Sequence, residues 1–280
     1  IVATDVAAQV EDLGTGGQDA LVVNDVAKGV TAKVTEDYHA PSETSNSKST
    51  ADVVLNAENH VDINMHDATG PYGYTINGSV NGETITGSAK TDVIDGGAGA
   101  DKITGGTAGD DQLTGSGGND TFTITSSGDV TVADLDTGDV FTVASTVGSA
   151  TINTATGFTA AAADKNSKSL ADVVINSTAT GDTIDMALAN TSFGFTIQGD
   201  VANKADAEVN TLKGSSKADI LQGFGGVDAL TGNGGSDIFK FDDAARFTLW
   251  RFFRRRDCSS VFDRGFCNFW SMFSQIFKAQ

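Results

Sequence analysis

GGAGADKITGGTAGDDQLTGSGGND, Gly96 to Asp120, is the stretch whose reading decides the fold. Glycine-rich units recur in it every nine or ten residues, each containing an aspartate. Glycine costs about 0.5–1 kcal/mol relative to alanine inside a helix or strand. A segment this rich in glycine therefore needs another source of order.

Aligned on their glycines, four units start at Gly87 (GSAKTDVID), Gly96 (GGAGADKIT), Gly105 (GGTAGDDQLT) and Gly115 (GSGGNDTFT). The third carries one extra residue. A second block starts at Gly214 (GSSKADILQ), Gly223 (GFGGVDALT) and Gly232 (GNGGSDIFK), in steps of nine. Allowing for the extra residue, each unit has a small residue early, aspartate sixth and an apolar residue eighth. The aspartates are Asp92, Asp101, Asp111, Asp120, Asp219, Asp228 and Asp237. The apolar residues are Ile94, Ile103, Leu113, Phe122, Leu221, Leu230 and Phe239.

Around these blocks lies a longer repeat. NSKSTADVVLN (Asn46 to Asn56) returns as NSKSLADVVIN (Asn166 to Asn176), and YGYTINGSV (Tyr72 to Val80) as FGFTIQGDV (Phe193 to Val201). TITGSAKTDVIDG (Thr84 to Gly96) returns as TLKGSSKADILQG (Thr211 to Gly223). Several matches in one order define two tandem modules. Module one is 1–133, a β-rich segment and then units over about 87–123. Module two is 134–245, with its units over about 214–240. Runs such as DVVIN, TFTIT and DVFTVA alternate apolar and polar residues and are rich in Val, Ile, Thr and Phe, the pattern of half-buried strands. The best helix candidate is TAAAADKNSKSLADV, Thr159 to Val173.

The chain carries 18 Lys and Arg against 37 Asp and Glu, a formal charge of -19. That argues against nucleic acid and anionic membranes as partners and permits multivalent cations. No apolar run approaches the roughly 18–20 residues of a membrane-spanning helix, so no transmembrane segment is expected. Residues 246–280 have a different composition. They hold all six arginines, both tryptophans, both cysteines and eight of the sixteen phenylalanines. This basic, aromatic tail reads as a shifted frame, a membrane- or partner-binding segment, or a poorly packed tail, and is expected to stand outside the fold. The 245 residues before it lack cysteine, which excludes a disulfide scaffold there.

The seven units resemble the glycine-rich nonapeptide of RTX (repeats-in-toxin) proteins, a calcium-binding β-helix repeat. The resemblance covers about 63 residues in two blocks. It implies an all-β fold of parallel β-roll, or β-solenoid, coils. Each six-residue turn would bind Ca2+, and each following three-residue strand would add to a sheet. Two units would make one coil, so a calcium would sit between alternate turns. Asp101 and Asp120, with the carbonyls of Gly96, Gly97, Gly99, Gly115 and Gly117, are the best-matched set. Asp92 would pair with Asp111 across the Gly87 and Gly105 turns, although Lys90 stands where the motif has its fourth glycine. Asp219 would pair with Asp237 across Gly214, Gly232 and Gly234, with Lys217 in the fourth place. Asp228, with Gly223 and Gly225, lacks a partner, because the next coil would fall in the tail. Two to four sites are expected.

General physics points the same way. Ca2+ takes 6–8 oxygen ligands, and glycine lets backbone carbonyls turn toward an ion through positive φ. One inward apolar residue in nine does not offset the ordering of nine backbones, and stacked aspartates repel. The blocks are expected to be unfolded without the ion, so that ion binding becomes folding.

No HExxH, GxSxG or P-loop pattern is present, and the protein is not expected to be an enzyme. His60 and His66 flank VDINM, but their module-two counterparts are not histidine, which assigns them to the surface. The expected function is that of a secreted, calcium-dependent structural protein of the bacterial cell surface, of surface-layer or filament type. Its expected partners are further copies of itself and a cell-surface polysaccharide. The resemblance also implies type I secretion. Two alternatives remain: the non-catalytic C-terminal part of a secreted RTX enzyme, and an adhesin module binding a carbohydrate or cell-surface partner.

Overall fold

The computed structural model describes residues 8–14, 19–25, 27–202 and 208–241. The tail at 246–280 lies outside the described residues. Short runs of β-branched residues between glycine bends are too short for helices and well suited to strands. The chain winds them into a parallel β-solenoid of about 11 turns.

One face is a twelve-stranded sheet whose strands follow each other in chain order. It begins with Ala8–Leu13, Val30–Val34, Val53–Ala57 and Thr75–Ser79, and continues through Val93–Gly97, Asp111–Thr114 and Asp129–Val132. Ser149–Thr154, Val173–Ser177, Thr196–Gln198, Ile220–Gln222 and Ile238–Lys240 complete it. The pairing of Asp129–Val132 with Ser149–Thr154 carries the sheet across residue 133 without a break. The β-rich segments are therefore coils of the same solenoid as the glycine-rich units. Coil length differs between the two. In the glycine-rich blocks Ile94 lies beside Leu113 and Leu221 beside Phe239, so that two units close one coil. Elsewhere the coils are longer, as where Ala32 lies beside Leu55 and Thr196 beside Ile220.

The second face is built from the intervening strands. A seven-stranded sheet ends with Lys165–Asn166, and a four-stranded sheet begins with Phe158–Thr159 of the same coil. The bend between those two strands falls inside the predicted helix at 159–173, and no helix forms. Asp164 Oδ2 accepts the Ala161 N–H at 2.7 Å, and the Asp164 N–H donates to the Ala161 carbonyl at 3.1 Å, closing a tight turn instead. The side-chain acceptor competes with the helical hydrogen bond, the usual reason aspartate disfavours helix interiors.

Alternate residues of each strand point inward and stack in columns. On the first face Leu55, Ile76, Ile94, Leu113, Val132 and Ile152 lie in register and are buried. On the second, Ile63, Ile85, Ile103, Phe122 and Phe141 do the same. The eighth residues of successive units thus go to opposite faces of one core. Each fully buried side chain contributes about 1.5–3 kcal/mol. The longer coils enclose additional large groups, among them Tyr74, Met65, Met186 and Phe195. Phe141 packs against Phe158 and Phe195 with ring centroids 6.0 Å apart in both cases.

The long sequence repeat is repeated in three dimensions. The buried Asn46 and Asn166 amides donate to the Gly73 and Gly194 carbonyls, at 2.5 and 2.6 Å. Their Oδ1 atoms accept the Lys48 and Lys168 N–H groups, at 2.7 and 2.8 Å.

Candidate metal centre

Each glycine-rich bend folds its aspartate back over its own first residue, so that position must lack a Cβ. A Cβ on Gly96 would lie 2.5 Å from Asp101 Oδ2. Gly105, Gly115, Gly223 and Gly232 meet Asp111, Asp120, Asp228 and Asp237 in the same way. The second and fourth residues answer a different need. Gly97 and Gly99 have φ of 91° and 129°, a region that favours glycine.

The carboxylates form a ladder along the solenoid. The Asp101 N–H donates to Asp120 Oδ1 at 2.8 Å, and Asp92 N–H to Asp111 Oδ1 at 3.0 Å. In the second block, Asp219 N–H donates to Asp237 Oδ1 at 3.0 Å. The three pairs named from the sequence are thus brought onto adjacent coils. Asp228, which the sequence left without a partner, accepts the N–H of Asn210 at 3.0 Å from the preceding coil. The ladder also extends beyond the glycine-rich units. Asp120 N–H donates to Asp139 Oδ1 at 2.8 Å, and Phe141 N–H to Asp164 Oδ1 at 2.8 Å.

Asp101 and Asp111 are each 1 % exposed, yet their Oδ2 atoms have no hydrogen-bond partner. A buried acceptor left unsatisfied costs about 1–3 kcal/mol, more for a charged group. Burial accordingly pushes Asp101 up to about 7 and Asp111 up to about 8, and the charges of Asp120 and Asp92 respectively push further in the same direction. Asp92 is also pushed up to about 7 by burial, opposed by the N–H groups of Tyr74 and Ser88. Asp120, Asp219 and Asp228 are raised for the same reason, burial.

An oxygen-rich, water-poor pocket with unsatisfied carboxylate atoms fits a hard divalent cation. Among the described residues no three His, Cys, Asp or Glu side chains converge on one point, so backbone carbonyls would have to supply most of a shell. The Gly97 and Gly117 carbonyls already accept the Gly117 and Gly99 N–H groups, at 2.9 and 2.5 Å, and each keeps a second lone pair.

Several members of the ladder escaped the sequence reading. Glu83 stands one coil before Asp101 and donates its N–H to Asp101 Oδ1 at 2.7 Å. It is the sixth residue of GSVNGETIT, Gly78 to Thr86, an eighth unit hidden by glutamate in place of aspartate. The Gly78–Glu83 spacing was the available signal. Asn210, Asp139 and Asp164 had no such signal, because their bends lack the glycine spacing. His60 holds φ 62° and donates its N–H to Glu83 Oε1 at 3.0 Å.

In comparisons with known proteins, the RTX calcium-binding nonapeptide repeat (4 copies) matches residues 77–108, 106–123 and 205–239. The match begins at the hidden unit and leaves the coils between Asp129 and Gln198 outside it. No curated protein and no solved structure matches the chain. The matched repeats are calcium-binding motifs, and they sit where the buried carboxylates stack. The chain carries RTX calcium-binding nonapeptide repeats at those residues, wound into a parallel β-roll.

Proposed function

We infer that this β-roll is a structural element of the extracellular space, ordered by calcium and assembling with further copies of itself. The observation that carries the reading is the pair of buried, unpartnered Oδ2 atoms on Asp101 and Asp111. Asp101 and Asp120, with carbonyls of the Gly96 and Gly115 bends, would hold one ion. Asp111 would contribute to a second, at the Gly105 bend. Calcium bound there supplies positive charge between stacked carboxylates and cross-links adjacent bends. The chain's own contribution is to hold the carboxylates in register and exclude water from them.

Location and assembly follow from chemistry of the same kind. Extracellular modules bind calcium at about 10⁻⁴–10⁻³ M, so a low-calcium cytosol would leave the chain exportable. The acidic charge of -19 keeps copies apart until divalent ions screen it. Among the described residues no helix is long and apolar enough to cross a membrane. The RTX β-solenoid is a structural, non-catalytic type of module, and the sequence carries no catalytic motif.

Calcium titration followed by circular dichroism and light scattering tests the reading. Gain of sheet signal, and then growth of scattering at millimolar calcium, is the expected result. A chain that gains order but stays monomeric overturns the assembly role, and binding of a polysaccharide by that monomer would identify an adhesin module instead.

A further inference from the structure

Three bends open with Gly-Ser and have a fourth residue other than glycine: Gly78-Ser79 with Asn81, Gly87-Ser88 with Lys90, and Gly214-Ser215 with Lys217. In all three the serine hydroxyl is a relay. It accepts the fourth residue's N–H, at 3.2, 3.1 and 3.1 Å in that order. It donates to the sixth residue's carboxylate: Glu83, Asp92 at 2.9 Å, and Asp219 at 3.1 Å. The serine's own N–H donates to the same carboxylate, at 3.1, 2.6 and 2.7 Å. The other carboxylate oxygen is taken from the previous coil, by His60 N–H at 3.0 Å, Tyr74 N–H at 2.6 Å and Phe195 N–H at 2.7 Å. Both oxygens of Glu83, Asp92 and Asp219 are therefore hydrogen-bonded, unlike those of Asp101 and Asp111.

A serine in second place is not sufficient by itself. Ser116 is followed by Gly117 and Gly118, adopts φ 66°, and turns its hydroxyl to Asp95 at 2.8 Å, away from Asp120. Serines 79, 88 and 215 are not among the residues with positive φ. The closing element is the combination of second-place serine and a non-glycine fourth residue, whose N–H is aimed at the hydroxyl.

We propose that these Gly-Ser bends close without a metal ion, the serine hydroxyl and N–H doing for Asp92 and Asp219 what calcium does for Asp101 and Asp111. They stand at the start of each block, at 78 and 87 in the first and at 214 in the second. Each block thus begins with a preformed, calcium-independent bend on which the ion-dependent ones are laid. The proposal rests on the calcium reading of the inner bends.

Hydrogen exchange of the full chain in EGTA and in calcium tests it. Amides of Tyr74, Ser88, Phe195 and Ser215 are expected to keep their protection in EGTA, while those between Gly97 and Asp120 exchange at least tenfold faster. The paired change Ser88→Gly with Lys90→Gly converts GSAKTD to GGAGTD. It is expected to add one bound calcium per chain by equilibrium dialysis and to make protection at Tyr74 calcium-dependent. Loss of protection at Ser88 and Ser215 in step with Gly97–Asp120, or an unchanged ion count in the variant, overturns the proposal. Should the variant fail to fold, the exchange pattern of the natural chain decides. A chain that binds no calcium at all overturns the underlying calcium reading instead, an outcome the dialysis on the natural chain reports separately.

Discussion

The bends at Asp101 and Asp164 solve one problem in two ways. Both place a buried aspartate on the ladder, with Oδ1 accepting an N–H from the neighbouring coil. At Asp164 the chain loops from Ala161, and the Ala161 N–H reaches Oδ2 at 2.7 Å. At Asp139 the Asp136 N–H does the same at 2.8 Å. The glycine-rich bend leads past Asp101 without presenting such a donor, and Oδ2 stays without a partner. A bend that carries its own donors is complete from the chain alone, whereas the inner nonapeptide bends need something added. On the proposed reading, calcium dependence is a property of individual bends within one continuous solenoid.

Chelation is the strongest way to break this comparison. Calorimetry in excess EGTA is expected to show the inner coils around Gly96–Asp120 melting tens of degrees earlier than with calcium, while the longer coils melt at a higher temperature. A single unshifted transition would mean that the two kinds of bend do not differ.

Substitution separates them next. Asp101→Asn is expected to weaken calcium binding by about a hundredfold, at the upper end of what loss of a metal-orienting partner costs, read by titration calorimetry. Asp164→Ala should leave calcium affinity unchanged and instead destabilise the chain by about 2–5 kcal/mol in urea melts, since it strands two N–H donors.

Acidity sharpens the contrast further. The ion-free carboxylates of Asp101 and Asp111 are held at about 7 and about 8, above the unfolded value of about 3.9. The folded chain therefore binds more protons than the unfolded one between those limits, and stability rises as pH falls. This stabilisation is fully present below pH ~4 and lost as pH rises through about 7–8. In EGTA the melting temperature is expected to increase from pH 8 to pH 5. In limiting calcium the ordering reverses, because protons displace the ion.

The smallest expected effect lies in the core of a long coil. Tyr74 is fully buried and its hydroxyl has no partner. Its counterpart in the second module is Phe195. Tyr74→Phe is expected to stabilise the chain by about 1 kcal/mol, by removing an unsatisfied polar group, without altering calcium affinity.

The sixth-place aspartates and eighth-place apolar residues were legible from spacing alone, and the structure stacks them in register. The strand runs were also legible. That DVTVADL and FGFTIQ are coils of the same solenoid was not. Their coils differ in length, as the pairings of Asp129 with Ser149 and of Thr196 with Ile220 show, and variable length erases a period. Glu83 hid behind a residue change, and Asp139 and Asp164 behind bends without glycine. The serine relay was visible as letters, GSAK and GSSK. Its meaning depended on where the hydroxyl points, which spacing does not encode. The lysines at positions 90 and 217 read as defects of the motif, whereas their N–H groups are part of how those bends close.

The in-register columns carry an evolutionary consequence. Excising Gly96 to Thr114 would join Asp95 to Gly115, set Phe122 against Ile85 and Asp120 beneath Glu83, and bring Val132 beside Ile94. Like would replace like on both faces. Replication slippage in repetitive DNA could therefore lengthen or shorten this solenoid one coil at a time, changing its ion load while inventing no new kind of contact.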